Sequence, residues 1–174
     1  MSINSINTRI LSSVYEYFEP SSIEEATNTL GRYKEQAAVL AGGTDIIVRM
    51  KQKRIEPKYL VNIKRIPRLK RVEQNSDLLR IGATATMLEI QRNELVKEKF
   101  HGLHEAISSI GSVQIRNMGT LGGNLCRASP AGDSPPPLLA LDASVNLLDS
   151  TGSRVISLDG FFKGPGKTAI KPTE

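Results

Sequence analysis

A single cysteine, Cys126, and two histidines, His101 and His104, are all the thiol and imidazole ligands in 174 residues. One thiol cannot build an internal disulfide framework, and it cannot hold an iron–sulfur cluster without ligands from another chain. The two histidines are spaced for one helix face but have neither a third ligand nor a helper acid, so no metal site is expected. Long apolar runs are also missing. No stretch reaches the roughly twenty residues that a bilayer-spanning helix needs. Met1 to Phe18 lacks the charged-then-apolar order of a signal peptide. A cytoplasmic protein with no membrane partner is the expectation. No nucleophile stands beside a base and no catalytic acid stands out, so no catalytic residue is assigned.

What is present is ordinary in amount: 39% hydrophobic and 24% charged residues, enough for a soluble core. The length suits one domain, or two small lobes that share a ligand cleft. The net charge of +5 is unevenly placed, with Lys and Arg crowded between Arg49 and Arg71 and Glu56 the acid among them. A solvated basic face accounts for this best, an acidic partner surface second. Aromatic side chains are not interleaved with the charges as base stacking requires, which argues against nucleic acid.

The hydrophobic pattern divides the chain. Tyr15 to Phe18 reads as a strand, and Ser22-Ile23-Glu24-Glu25 has capping-box spacing ahead of a helix carrying Ile23, Ala26, Leu30 and Tyr33. Ala38 to Ala41 and Tyr59 to Ile63 read as strands, while Ile46 to Lys51 fits either a helix or a continuing strand. A first lobe of the form β-α-β-x-β, residues 1–63, follows. In the remainder, 64–174, a hairpin is expected across Asn75-Ser76-Asp77. A second capping box at Thr86 opens a helix through about Val96, and another helix carries Leu103 to Ile110 and stops at Gly111. A buried helical turn is expected at Leu138 to Leu141 after the prolines, and a closing hairpin across Ser150-Thr151-Gly152. The fold class is therefore α+β, with an antiparallel second lobe.

Two glycine runs stand out. Ala41-Gly42-Gly43-Thr44-Asp45 follows the apolar run that ends in Val39-Leu40, and Gly119-Thr120-Leu121-Gly122-Gly123-Asn124 lies in the stretch Arg116 to Asp133. Such runs are poor helix or strand interior and suit backbone that takes positive φ or approaches a ligand. Successive amides there can form an anion-binding concavity. Two such loops suggest a two-sided clamp on a diphosphate. Neither matches G-x-G-x-x-G, which excludes a Rossmann fingerprint. Phe161 occupies the first glycine position of a phosphate loop at 161–168, and Pro165 interrupts it, which excludes that motif as well.

AGGTD at 41–45, IRNMGTLGGNLCRASPAGDSPPPLLALDA at 115–143 and FFKGPGKT at 161–168 resemble the FAD-binding medium subunit of the molybdenum hydroxylases. That family includes carbon monoxide dehydrogenase and xanthine dehydrogenase, and the resemblance covers essentially the whole chain. It implies the two-lobed FAD-binding fold of the vanillyl-alcohol-oxidase-like flavoproteins. It also implies an electron-transfer role, from a molybdopterin-binding large subunit through a [2Fe-2S] small subunit to FAD and on to an acceptor. An oxidoreductase component, inactive without its partners, is the expectation. By the same resemblance Val39, Leu40, Ala41, Gly42, Gly43, Thr44, Asp45 and Ile46 line the FAD on one side. Thr120, Leu121, Gly122, Gly123 and Asn124 line it on the other, with Asp133 as an acceptor for hydroxyls and Ile110 near the ring system or in plain core. A carboxylate beside a diphosphate would repel it, so Asp45 is expected to face away, cap the next segment or accept from a ribose hydroxyl. Cys126 is expected to be a packed thiol.

The family pattern continues beyond FFKGPGKT into a C-terminal domain that covers the flavin ring, whereas this sequence stops at Glu174. The expectation is a complete diphosphate clamp without that ring cover, binding FAD weakly or with the ring exposed, with a separate C-terminal half of the flavin subunit as a candidate partner. Two other readings stay open: a stand-alone flavin reductase or oxidase of the same superfamily, and a basic RNA- or protein-binding module with structural glycine loops.

Overall fold

Residue 11 and residues 14–174 are described by the computed structural model, so residues 1–10, 12 and 13 of the expected first lobe lie outside the described residues. β1 (Glu16–Phe18) leads into α1 (Ile23–Tyr33), where the Ser22 side chain accepts from the Glu25 amide and satisfies an open donor of the first turn. The reciprocal half of the expected capping box is displaced by one residue. The Glu25 carboxylate accepts from the Ser21 amide and hydroxyl. β2 (Ala37–Leu40), α2 (Ile46–Lys51) and β3 (Tyr59–Asn62) follow.

The three strands pair parallel in the order β1-β3-β2, with Tyr59 opposite both Glu16 and Ala37. Parallel neighbours cannot be joined by a tight turn, so the chain must travel back between them. This decides the ambiguous stretch at 46–51, which is helix: Ile47 donates to the Gly43 carbonyl and Arg49 to the Asp45 carbonyl. β3 is central and its Leu60 and Val61 are buried, as expected of a strand flanked on both sides. Tyr33 stacks on Tyr59 at 3.7 Å between ring centroids, fastening the end of α1 to the sheet.

The second part of the chain is built on β-hairpins and short helices. β4 (Val72–Asn75) and β5 (Leu78–Ile81) are joined by two residues, since Asn75 pairs with Leu78 instead of belonging to the turn. The helix expected from Thr86 to Val96 is two helices, α3 (Met87–Gln91) and α4 (Glu94–Lys99). Asn93 ends the first and restarts the chain, because its side chain accepts from the Val96 amide as an N-cap. α5 (His101–Ser109) follows, then α6 (Val113–Met118) and α7 (Leu121–Arg127).

The second glycine run is thus mostly helical. Thr120 caps α7 by accepting from the Gly123 amide, and the joint between α6 and α7 is only Gly119-Thr120. α8 (Pro135–Ala140) begins on the prolines themselves, which suit a first helical turn where no amide is required. β6 (Ser144–Asp149) and β7 (Gly152–Ser157) form the closing hairpin. α9 (Leu158–Phe161) then leads to the small hairpin of β8 (Phe162–Gly164) and β9 (Lys167–Thr168), turning at Pro165-Gly166.

One core holds these pieces together: Met87, Ile90, Val96, Leu103, Ile107, Leu121, Leu158 and Phe161, each 7% exposed or less. Burying each such side chain contributes about 1.5–3 kcal/mol, and truncating Phe161 to alanine would cost about 3–5 kcal/mol. α1 also packs against β6, which brings the parallel layer against the second part and leaves a cleft between them.

Candidate functional site

The cleft has a volume of about 910 Å³, at the upper end of the usual range for small-molecule sites. One wall is the carboxyl end of β2 and the turn after it, where parallel strands present ligand sites. The other wall is the α6–α7 joint and α7. Of the residues singled out in sequence, Val39, Ala41, Gly42, Gly43, Thr44, Asp45, Ile46, Ile110, Thr120, Gly122, Gly123 and Asn124 all line it. Leu40, Leu121 and Asp133 do not line it: Leu121 is 6% exposed in the core and Asp133 is exposed outside the cleft. Ile110 is half-buried against the core and also borders the cleft.

The two glycine runs have different physical tasks. Gly43 sits at φ 82°, a conformation that favours glycine. Among the described residues, the amides of Gly43, Thr44 and Asp45 have no hydrogen-bond partner, and all three residues line the cleft. The second run is different, because its amides are already used. Leu121 donates to Ala85, Gly122 to Ala83, Gly123 to the Thr120 hydroxyl and Asn124 to the Thr120 carbonyl.

Its glycines, together with Gly42, serve close packing. A Cβ on Gly122 would lie 2.6 Å from the Ala83 carbonyl oxygen, and one on Gly42 would lie 2.4 Å from that of Met118. The two runs therefore touch: the first turn rests on the α6–α7 joint because neither carries a side chain there. The concavity suited to phosphate oxygens is the 43–45 turn. α7 is the surface it leans on, contributing Asn124, whose Oδ1 accepts from Ser134.

Asp45 does not use its side chain to cap α2. Its Oδ1 accepts from Arg127 Nε at 2.9 Å across the cleft, and Arg49 stands 4.0 Å away on the other side. Arg127 also lines the cleft and was not among the residues singled out. The available signal was its spacing, four residues after Gly123 on the same face of α7. Ile115 on α6 was missed in the same way and borders the cleft while 43% exposed.

Cys126 is not the packed thiol expected, since it is exposed and lines the cleft. The protein around it still strips enough hydration to push the thiol from 9.0 up to about 11. Among the described residues no group of three potential ligands is arranged to hold a metal, and no helix is long and apolar enough to cross a membrane. In the basic segment Lys53, Arg54, Lys58, Arg65, Arg68, Lys70 and Arg71 are exposed, with Arg65 paired to Glu19 at 3.2 Å.

Residues 13–174 match the family model of the FAD-binding domain in molybdopterin dehydrogenase. The chain is 36% identical over 153 residues to the nicotinate dehydrogenase FAD-subunit of Eubacterium barkeri, covering 87% of this chain and 52% of that one. It is 32% identical over 160 residues to the carbon monoxide dehydrogenase medium chain of Hydrogenophaga pseudoflava, covering 92% and 56%. A solved structure of the Hydrogenophaga pseudoflava carbon monoxide dehydrogenase superposes with a TM-score of 0.91 at 31% identity, over 94% of this chain and 57% of that one. The chain thus spans about half the length of the curated relatives it matches. The fold is that of their FAD subunits, a small β-α-β lobe against a larger lobe of helices and antiparallel hairpins, and FAD is the cofactor of this fold. Matched along nearly all its length in sequence and in structure, the chain belongs to the FAD-binding domains of the molybdopterin dehydrogenases.

Proposed function

We propose that the chain is the FAD-holding part of the medium subunit of a molybdenum-containing hydroxylase or dehydrogenase. In this reading it receives electrons from a [2Fe-2S] subunit, itself supplied by a molybdopterin-binding large subunit, and hands them to a further acceptor. It acts in the cytoplasm as one component of an oxidoreductase and is inactive by itself. Its lobes divide at residues 63 and 64, and FAD lies between them. The observation that carries this reading is the turn at 43–45, with its amides open to a cleft of about 910 Å³.

The residues present fit the cofactor. Gly43, Thr44 and Asp45 offer backbone donors at the place where diphosphate oxygens need them. Val39, Ala41, Ile46 and Ile110 give the apolar contacts, with Thr120, Gly122, Gly123 and Asn124 forming the opposite wall. FAD, when bound, supplies the electron-transfer chemistry, and this chain supplies position and electrostatics.

A FAD titration of the purified chain, followed by flavin fluorescence and the visible spectrum, tests the proposal. Saturable binding is expected, and Gly43→Ala should weaken it about tenfold, because alanine at φ 82° displaces the donor turn at a cost of about 1–2 kcal/mol. An unsubstituted chain, folded by circular dichroism, that takes up no FAD at high concentration would overturn it.

A further inference from the structure

Asp45 places a carboxylate on the same turn whose unpartnered amides border the cleft. Left alone, it would repel a diphosphate seated there. Arg127 reaches over from the last residue of α7 and donates Nε to Asp45 Oδ1 at 2.9 Å, with both side chains about two-fifths exposed. Arg49, the other cation near Asp45, stands at 4.0 Å, too far for a hydrogen bond. No other hydrogen-bond partner engages the Arg127 guanidinium among the described residues, and its Nη1 stands by the β8–β9 turn, 3.6 Å from where a Cβ on Gly166 would lie. The pair also joins the two walls, since Asp45 belongs to the first glycine turn and Arg127 to the helix it rests on.

Resting on the flavin reading above, we infer that Arg127 is a positioning residue of the cofactor site: it masks the Asp45 carboxylate so that the donor turn can receive an anionic ligand. The sign of the effect is specific. Removing Arg127 leaves Asp45 facing an anionic ligand with Arg49, at 4.0 Å, as its remaining counter-charge among the described residues, whereas removing the charge of Asp45 releases both cations there. At the effective dielectric of a half-exposed site, the first change should weaken FAD binding about tenfold. The second should leave it equal or tighter.

The experiment is a FAD titration of the full chain and of Arg127→Gln, Asp45→Asn and the double variant, each at low and moderate salt, with folding checked by circular dichroism. The expected result is weak binding by Arg127→Gln, unweakened binding by Asp45→Asn, and recovery in the double variant. The deficit of Arg127→Gln should shrink as salt rises, because an exposed carboxylate is screened. If Asp45→Asn does not rescue Arg127→Gln, Arg127 touches the cofactor directly and masking is refuted. Equal losses in both single variants would reduce the pair to a wall-to-wall brace and also refute masking. An unsubstituted chain that binds no FAD would sink the flavin reading and this inference with it. Binding with the wrong pattern among the variants would sink this inference alone.

Discussion

Replacing Gly122 with alanine should destabilise the protein even though Gly122 lies inside a helix, where alanine is normally preferred. The added Cβ would sit 2.6 Å from the Ala83 carbonyl oxygen, 2.8 Å from its Cβ and 2.9 Å from its Cα. None of these is the end of a flexible side chain, so no rotamer change relieves them. α7 has to lift away from residues 83–85, stretching the bonds from Leu121 to Ala85 and from Gly122 to Ala83, each 3.1 Å long.

Overpacking of this kind costs about 1–3 kcal/mol, and weakening two hydrogen bonds adds up to about 1 kcal/mol each. The intrinsic helix preference returns about 1 kcal/mol, leaving a net loss near 2 kcal/mol. For a domain of this size that is a fall of about 4–8 °C in melting temperature, measurable by circular dichroism. Gly102→Ala is the internal control: it lies in α5 with nothing within 4 Å of the new carbon, and should melt at or slightly above the parent temperature. A Gly122→Ala protein that melts as high as the parent would refute the packing account. The same geometry means that lost FAD binding in a Gly122 variant reports displacement of α7 and does not locate the diphosphate.

Other consequences can be measured with the same protein. Cys126, pushed from 9.0 to about 11, is mostly thiol at pH 8; its thiolate is roughly a hundredfold scarcer than that of an ordinary cysteine. Higher intrinsic nucleophilicity recovers part of this, so labelling by a disulfide reagent should run about tenfold slower than in urea, and slower again once FAD fills the cleft. Labelling as fast in the native chain as in urea would contradict the environment described. Because its folded value is raised, the favourable contribution of this thiol holds below 9.0 and is lost as pH climbs toward about 11. Glu174 runs the other way: its bond from Arg154 Nε, 2.6 Å long, holds the carboxyl below its ordinary range. That contribution is present above the ordinary value and lost as pH falls through the lowered one. The stability gap between parent and Arg154→Gln should therefore close as pH falls below the ordinary glutamate range, and a gap independent of pH would count against the pair.

Local patterns in the sequence read well wherever one residue decides the structure. Ser22 and Thr86 begin helices because their hydroxyls accept from an amide three residues on. The alternation around Thr151-Gly152 makes a hairpin, and the family motifs at 41–45 and 115–143 point to FAD. The break at Asn93 was less legible, since one side chain there outweighs an apolar pattern that runs on through Val96.

What only the tertiary structure decided is the work of each glycine. Two runs that look like one phosphate clamp in sequence divide into a turn with open amides and a helix whose amides are already bonded to residues 83, 85 and 120. Glycine composition is the same for a backbone that must approach a ligand and for one that must approach Ala83 or Met118. Only the neighbour across the gap distinguishes them. The pairing of Asp45 with Arg127 depends on the same physics: the two residues lie far apart in the chain, and no local spacing records that folding sets a guanidinium 2.9 Å from that carboxylate.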